Sequence, residues 1–180
     1  KLEILVREIQ EKNEVLNFIS ESDALTGCMN RRGFIEKTLQ MNRDHEGEEL
    51  LILFADLDHL KEINDSFGHI EGDFSIRHCA EVLKKVVGAD GIVGRIGGDE
   101  FCVVTLGNLK DGQQIIERIR EESDAFNCTS DKEYYVELSA GCTSVICRNG
   151  LVIADALREA DRALYEVKKL RRNSVKKIRL

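Results

Sequence analysis

The feature that most constrains the fold of this chain is an apolar run at residues 50–54, closely followed by two aspartates. Five consecutive apolar residues indicate a core strand, and Asp56 and Asp58 stand where that strand is still partly buried. A bare carboxylate costs several kcal/mol to bury unless it is paired or bound to a cation. The chain must therefore supply a partner for these aspartates or bind an ion beside them.

A second pair of acidic residues lies in the segment GGDE, between two short apolar runs. This spacing is typical of a β-hairpin, and we expect Gly97 and Gly98 to give its turn positive φ angles. If the hairpin and the first strand are neighbours, Asp56 and Asp99 converge at one edge of a sheet. Converging carboxylates repel each other unless a divalent cation lies between them, and Mg²⁺ binds one or two carboxylates together with substrate phosphates.

Two of the acidic residues also have an ordinary structural interpretation. Asp58 is placed to cap the helix that follows it, and we favour this interpretation for Asp58. Glu100 is able to pair with an arginine such as Arg95. For Asp56 and Asp99 we favour the metal site instead.

Polar and basic residues further along the chain are candidates for binding a nucleotide. Asn64 is predicted on a helix and Asp73 just after a glycine turn. An amide and a carboxylate provide the donors and acceptors that a guanine edge needs, with aspartate accepting from N1–H and N2–H. Lys168 and Arg172 are four residues apart and therefore share one helix face. They form either a solvated charge pair or a clamp for phosphate.

Strands and helices alternate along the chain without repeats or low-complexity linkers, which indicates one mixed domain. Helices are predicted at 33–43, 59–67, 71–87, 111–126 and 153–171, and strands at 50–55, 92–96, 101–106, 134–146 and 174–180.

Residues 1–20 are predicted to form a separate helix. Leu2, Ile9 and Leu16 recur every seven residues, with Leu5 and Ile19 three residues after the first and the last of them. This is a short coiled-coil pattern, and it favours a dimerising helix. The alternative is an amphipathic helix that packs on its own domain.

Charge and cysteine usage exclude some classes of function. The formal net charge of −7 argues against a nucleic-acid or anionic-membrane binder, because phosphate groups demand a basic surface. The six cysteines form no C-x-x-C pair, so we expect buried free thiols and a reducing cytoplasm. No apolar stretch is long enough to span a bilayer. Because the first residue is Lys1, we expect a piece of a longer protein, with any membrane or sensor segment upstream.

Five segments together resemble the GGDEF domain of bacterial diguanylate cyclases. RIGGDEF carries the family's signature unaltered, and FADLDHLKEINDSFGHIEGD resembles its other long motif almost throughout. DALTGCMNRR is similar to the entry motif, LSAG to a late strand, and DRALYEVKKLRRN to the closing helix. The resemblance covers about residues 22–180 in order, and such ordered agreement is highly specific.

The resemblance implies an α/β (α+β) fold like that of nucleotide cyclases. We expect a central, mostly antiparallel five-stranded sheet flanked by helices, with a ferredoxin-like core. The N-terminal helix at 1–20 would be a coiled-coil linker and residues 21–180 the catalytic domain. Members of the family condense two GTP into cyclic di-GMP with release of pyrophosphate, at a Mg²⁺-dependent site formed between two subunits. Mn²⁺ is the expected substitute for Mg²⁺.

The resemblance also assigns roles to residues of this chain. It implies that Mg²⁺ is bound by Asp56, Asp99, Glu100 and the backbone carbonyl of Leu57. Asp99, or Glu100 as the alternative, would help to deprotonate the attacking 3′-hydroxyl, and Lys61 would stabilise developing charge. Asn64 and Asp73 would bind guanine. The triphosphate would be held by backbone amides at His59, Leu60 and Lys61, and at its end by Lys168 and Arg172.

Three departures from the family pattern stand out. Arg171 replaces a usual Gly, and Leu60 replaces a common Phe. Gly88 and Gly91 stand where many members carry the Arg and Asp of a product-binding motif, so we expect no tight product inhibition there. The alternative function is a non-catalytic receptor for GTP or cyclic dinucleotide, which the intact signature at 97–101 disfavours.

Overall fold

Four strands and five helices follow one another in residues 21–171. The computed structural model describes residues 6–7 and 21–171, with only the backbone at position 171. In chain order the elements are α1 (Arg31–Asp44), β1 (Glu49–Leu57), α2 (Leu60–Phe67), α3 (His69–Val87), β2 (Ile92–Arg95), β3 (Glu100–Leu106), α4 (Leu109–Thr129), β4 (Leu138–Ile146) and α5 (Ile153–Arg171). The helices of the described residues all lack the length or the hydrophobicity of a membrane-spanning segment. Apart from Val6 and Arg7, which are helical, the predicted helix at 1–20 lies outside the described residues.

The strands form one sheet in the order β2-β3-β1-β4, and every neighbouring pair is antiparallel. Strand β1 is therefore central, and Asp56 near its end lies opposite Glu100 on β3 and Ser139 on β4. The predicted α/β class and antiparallel sheet are confirmed. The described part of the chain has four strands rather than five, and the fifth, predicted at 174–180, lies outside it.

The apolar run is continuous because both faces of the sheet are covered. Leu51 and Leu53 belong to one core cluster, which also contains residues of α3 and α4. Leu50 and Ile52 belong to the other, which contains Phe34 of α1 and residues of α5. Successive side chains of a strand point to opposite faces, so the even-numbered residues of β1 face α1 and α5.

Two local predictions need correction. Helix α3 begins at His69, so Asp73 lies inside a helix rather than after a turn. Gly97 and Gly98 are not among the glycines with positive φ. Gly97 serves a different purpose, since a Cβ atom there would approach Glu100 Oε2 to 2.4 Å.

Gly141 on β4 allows helix α5 to lie directly on the sheet. A Cβ atom at this position would stand 2.1 Å from the backbone nitrogen of Leu164. The backbone of α5 cannot move aside as the end of a flexible side chain can, so this contact requires glycine at position 141. The close approach brings Lys168, one turn after Leu164, to the end of β1.

We expect Gly141→Ala to lower the free energy of unfolding by about 1–3 kcal/mol, as overpacking does in a tightly packed core. Gly98→Ala is the matched control, because a Cβ atom at Gly98 has no neighbour within 4 Å. Urea unfolding of both variants measures the difference. Equal stability of the two would contradict the close packing of α5 on β4.

Candidate active site

The carboxylate of Asp56 at the end of β1 is paired with a lysine of α5. The Lys168 ammonium forms an ion pair with Asp56 Oδ1 and lies 3.7 Å from Asp58 Oδ1. Burial raises the pKa of Asp56, Lys168 opposes this effect, and the nearby charges of Asp99 and Asp58 add to it. The net shift is upward, so the lysine compensates the buried charge only in part.

Asp58 binds the neighbouring strand and does not cap α2. Its Oδ2 accepts a hydrogen bond from Ser139 Oγ at 2.7 Å, and its backbone N–H donates to the carbonyl of Glu137 at 2.9 Å. The N-cap residue of α2 is His59, and no side chain caps this helix. The capping interpretation of Asp58 is therefore wrong, because its carboxylate is engaged with β4.

Helix α2 starts from a backbone conformation that is unusual for its residue type. His59 has φ 63° and is the only non-glycine residue with positive φ in the described part of the chain. Its imidazole Nδ1 lies 3.0 Å from Glu62 Oε2 on the surface. Because no side chain caps the helix, the first backbone N–H groups of α2, including that of Lys61, are available to an anion. Unusual backbone conformations of this kind cluster at functional sites.

Asn64 and Asp73 come together where α2 crosses α3. A Cβ atom at Gly72 would stand 1.9 Å from Asn64 Oδ1, so the Asn64 amide lies directly against the α3 backbone. Leu60 contacts the same glycine. Asp73, the next residue of α3, is exposed. The structure thus brings the amide and the carboxylate of the sequence prediction to neighbouring positions.

The GGDE turn is held by Arg95. Its Nε and Nη2 donate to the carbonyl of Gly98 at 3.1 and 2.7 Å, and its Nη1 donates to both carboxylate oxygens of Asp23 at 3.1 and 3.2 Å. The backbone N–H of Leu57 also donates to the carbonyl of Asp99 at 3.0 Å. The proposed Glu100–Arg95 pair is wrong, because the guanidinium is engaged by Asp23 and the turn itself.

Sequence reasoning missed the structural role of Asp23. Both Asp23 and Arg95 lie in the segments DALTG and RIGGDEF that carry the family resemblance, and their opposite charges were a usable signal. Burial raises the pKa of Asp23, but hydrogen bonds from Thr26 and Arg95 outweigh it and hold this pKa below the ordinary range. The carboxylate is therefore charged at neutral pH, as the pair with Arg95 requires.

The acidic residues can supply only some of the ligands in the coordination shell of Mg²⁺. Among the described residues, no three side chains of His, Cys, Asp or Glu form a cluster able to hold a metal. Asp56 and Asp99 are close enough for the charge of one to raise the pKa of the other. Two carboxylates, completed by water and phosphate, are the ligands that Mg²⁺ typically takes. Glu100 lies opposite Asp56 in the sheet, but its carboxylate is close to Gly97.

The remaining predicted residues are distributed around this strand end. Lys61 is exposed on the first turn of α2, and the backbone carbonyl of Leu57 is at the end of β1. Lys168 is paired with an aspartate rather than solvated, which removes one of the two interpretations left open for it. Arg172 lies outside the described residues.

Comparison with known proteins identifies a family for most of the chain. The family model described as "Diguanylate cyclase, GGDEF domain" matches residues 20–174. Diguanylate cyclase DgcP of Escherichia coli is 38% identical over 172 residues, which cover 93% of this chain and 50% of DgcP. A protein named cyclic di-GMP phosphodiesterase NbdA, from Pseudomonas aeruginosa, is 29% identical over 97% of this chain and 22% of its own length.

The fold is also similar to that of solved structures. The coiled coil and GGDEF domain of DgcB from Caulobacter crescentus, in complex with c-di-GMP, superposes with a TM-score of 0.80 at 25% identity. The match covers 92% of this chain and 90% of that one. The chain spans half the length or less of the two curated relatives named above.

We expect Asp56→Asn to raise the midpoint of thermal unfolding at pH 7 without divalent cations. The pKa of Asp56 is higher in the folded protein than in the unfolded chain, where it is about 3.9. The free energy of unfolding therefore falls as the pH rises between these two pKa values, and it stays lowered at pH 7. The uncharged amide removes this cost, while Lys168 keeps Asp58 nearby. Asp124→Asn, at an exposed position of α4, is the control and should change nothing. A lower midpoint for Asp56→Asn would show that the Lys168 pair outweighs the burial.

Proposed function

The chain belongs to the GGDEF family of diguanylate cyclase domains, and from this we propose that it condenses two molecules of GTP into cyclic di-GMP and two of pyrophosphate. The proposal rests on the edge of the sheet where the charge of Asp99 acts on the buried carboxylate of Asp56, which is paired with Lys168. This cluster stands beside the uncapped start of α2. It offers ligands for a cation and for a triphosphate in one place.

The chemistry is a displacement at phosphorus that occurs twice. The 3′-hydroxyl of each GTP attacks the α-phosphorus of the other, so that two P–O bonds form and two pyrophosphates leave. Asp99 accepts the proton of the attacking hydroxyl, with Glu100 as the alternative acceptor. Lys61, exposed on α2, stabilises the charge that develops on the phosphate. Such transfers depend mostly on positioning and charge neutralisation, so no covalent nucleophile is needed.

Mg²⁺, or Mn²⁺ in its place, neutralises phosphate charge when it is bound. Asp56 and Asp99 are its principal ligands in this proposal, with the Leu57 carbonyl and Glu100 as further ones. The raised pKa of Asp56 supports this role, because a cation offsets the burial of the carboxylate and its repulsion by Asp99 and Asp58, which Lys168 compensates only in part. The Lys168 ammonium would then leave Asp56 and bind the terminal phosphate of GTP together with Arg172.

The nucleotide is held by two other groups of atoms. The backbone N–H groups at His59, Leu60 and Lys61 bind the triphosphate, because the start of a helix is a ready anion site. The side chains of Asn64 and Asp73 bind the guanine edge. The contact of Asn64 with Gly72 supports this pairing, since it fixes the amide beside the residue that precedes Asp73.

Assembly and location belong to the same proposal. Each site holds one GTP, so the reaction requires two chains face to face. The predicted coiled-coil helix at 1–20 would raise their local concentration, ahead of a catalytic domain at 21–180. The reaction would take place in the cytoplasm, with membrane attachment only through an upstream region. The absence of tight product inhibition at Gly88 and Gly91 stays a prediction.

A second candidate is a receptor that binds GTP or cyclic dinucleotide without turnover. It is kept because NbdA, which contains a segment similar to this chain, is named a phosphodiesterase. The intact GGDEF signature at 97–101 disfavours it.

Incubation of the full chain with GTP and Mg²⁺ tests the proposal. We expect cyclic di-GMP and pyrophosphate, and no product after removal of the metal with EDTA. Asp99→Asn should lower turnover by about a hundredfold or more, because it removes a charge that acts on the reacting atoms. Asp124→Asn, the same change on the surface of α4, should keep full activity.

Competition with an equal concentration of ATP tests the base specificity in the same assay. Cyclic di-GMP should remain the main product. A chain that binds GTP but forms no product at any protein concentration would instead be the receptor.

A further inference from the structure

The segment between α4 and β4 reaches across to the junction of α2 and α3. Lys132 Nζ forms an ion pair with Glu71 Oε2 at 2.6 Å, and Tyr134 Oη donates a hydrogen bond to the same oxygen. We call these three residues, Glu71, Lys132 and Tyr134, the corner clamp. None of the three functional roles assigned above, in metal, phosphate or base binding, uses them.

Aromatic contacts extend the corner clamp to both helices. The Tyr134 ring lies 5.0 Å from the Phe67 ring at the end of α2. The Lys132 ammonium stands 4.3 Å above the Phe74 ring on α3. Tyr134 is only 8% exposed, and burial together with its bond to Glu71 raises its pKa to about 12, so the hydroxyl stays a donor at neutral pH.

The segment that carries Lys132 and Tyr134 is itself fixed to α4. Asn127, only 3% exposed, donates to the carbonyl of Val136 at 2.9 Å and accepts from its N–H at 2.9 Å. The N–H of Lys132 donates to Ser130 Oγ at 3.2 Å. Helix α4 therefore supplies a fixed base from which the segment holds Glu71.

Glu71 lies where a small movement of α3 would change the positions of Asn64 and Asp73 relative to each other. It precedes Gly72, whose backbone lies against the Asn64 amide, and Asp73 follows directly. Gly68, with φ 88°, interrupts the helix between α2 and α3. The angle between α2 and α3 therefore depends on contacts between side chains rather than on one continuous helix. The corner clamp provides such contacts on both sides of Gly68.

We infer that Lys132 and Tyr134 are positioning residues for base recognition: by holding Glu71 they fix the distance between Asn64 and Asp73, and so set the preference for guanine over adenine. This inference rests on the proposed function, in which Asn64 and Asp73 bind guanine. Lys132 and Tyr134 lie outside all the segments that carry the family resemblance. The preference is therefore tuned by a part of the chain that the family motifs do not include.

Binding of nucleotides that cannot react tests the inference without turnover. 3′-Deoxy-GTP and 3′-deoxy-ATP lack the attacking hydroxyl, and calorimetry with Mg²⁺ gives the Kd of each for the full chain. We expect Lys132→Met to weaken 3′-deoxy-GTP binding about tenfold, the scale of one charge-assisted hydrogen bond, and to leave 3′-deoxy-ATP unchanged. The ratio of the Kd for 3′-deoxy-ATP to the Kd for 3′-deoxy-GTP measures the preference for guanine. Lys132→Arg should keep the wild-type ratio, because it keeps the charge.

Two further variants separate positioning from stability. Lys85→Met removes the exposed Lys85–Glu122 pair, 2.6 Å long, near the other end of α3, and should leave the ratio unchanged. Tyr134→Phe keeps the ring beside Phe67 but loses the hydroxyl, and should lower the ratio even if Lys132→Met does not fold. A purely structural role would lower the midpoint of unfolding and leave the ratio intact, which would overturn the inference.

The wild-type result separates failure of this inference from failure of the proposed function. If the wild type prefers 3′-deoxy-GTP and the Lys132 and Tyr134 variants prefer it equally, only the inference is wrong. If the wild type shows no preference, the assignment of Asn64 and Asp73 to guanine is wrong, and the inference is wrong with it.

Discussion

The ion pair between Asp56 and Lys168 is the interaction on which the rest of the site depends. A carboxylate at the end of a central strand needs a nearby cation, and in this chain helix α5 supplies it. The helix reaches that position only because Gly141 lets its backbone touch β4. The upward shift in the pKa of Asp56 shows that the lysine leaves part of the charge uncompensated. The same imbalance that lowers stability supports the proposed metal site at this strand end.

Segments outside the strand end hold the other parts of the site. Arg95 joins the GGDE turn to Asp23, which lies directly after the predicted N-terminal helix. The corner clamp plays a corresponding part at the junction of α2 and α3. Ion pairs and hydrogen bonds thus fix the loops beside the proposed site, and the proposed reaction depends on geometry more than on covalent chemistry.

Much of the fold follows from the sequence because its signals are local. The apolar run at 50–54 predicted β1, and the short runs around GGDE predicted the β2–β3 hairpin. The interpretations that proved wrong concern side chains whose partners are distant in sequence. Asp58 was expected to cap α2, but its partner Ser139 is 81 residues away. Arg95 was expected to bind Glu100, but its partner Asp23 is 72 residues away. Only the folded chain brings such pairs together, so a local pattern does not reveal which partner each side chain takes.

We propose that Asp56 exchanges the Lys168 ammonium for a metal ion when nucleotide binds. Anomalous scattering from crystals grown with Mn²⁺ and 3′-deoxy-GTP would detect this exchange, because the method locates the ion without assumptions about its ligands. We expect one anomalous peak in contact with the carboxylates of Asp56 and Asp99, with the Lys168 ammonium moved from Asp56 to a phosphate oxygen. Mn²⁺ bound elsewhere, with Lys168 still paired to Asp56, would contradict it.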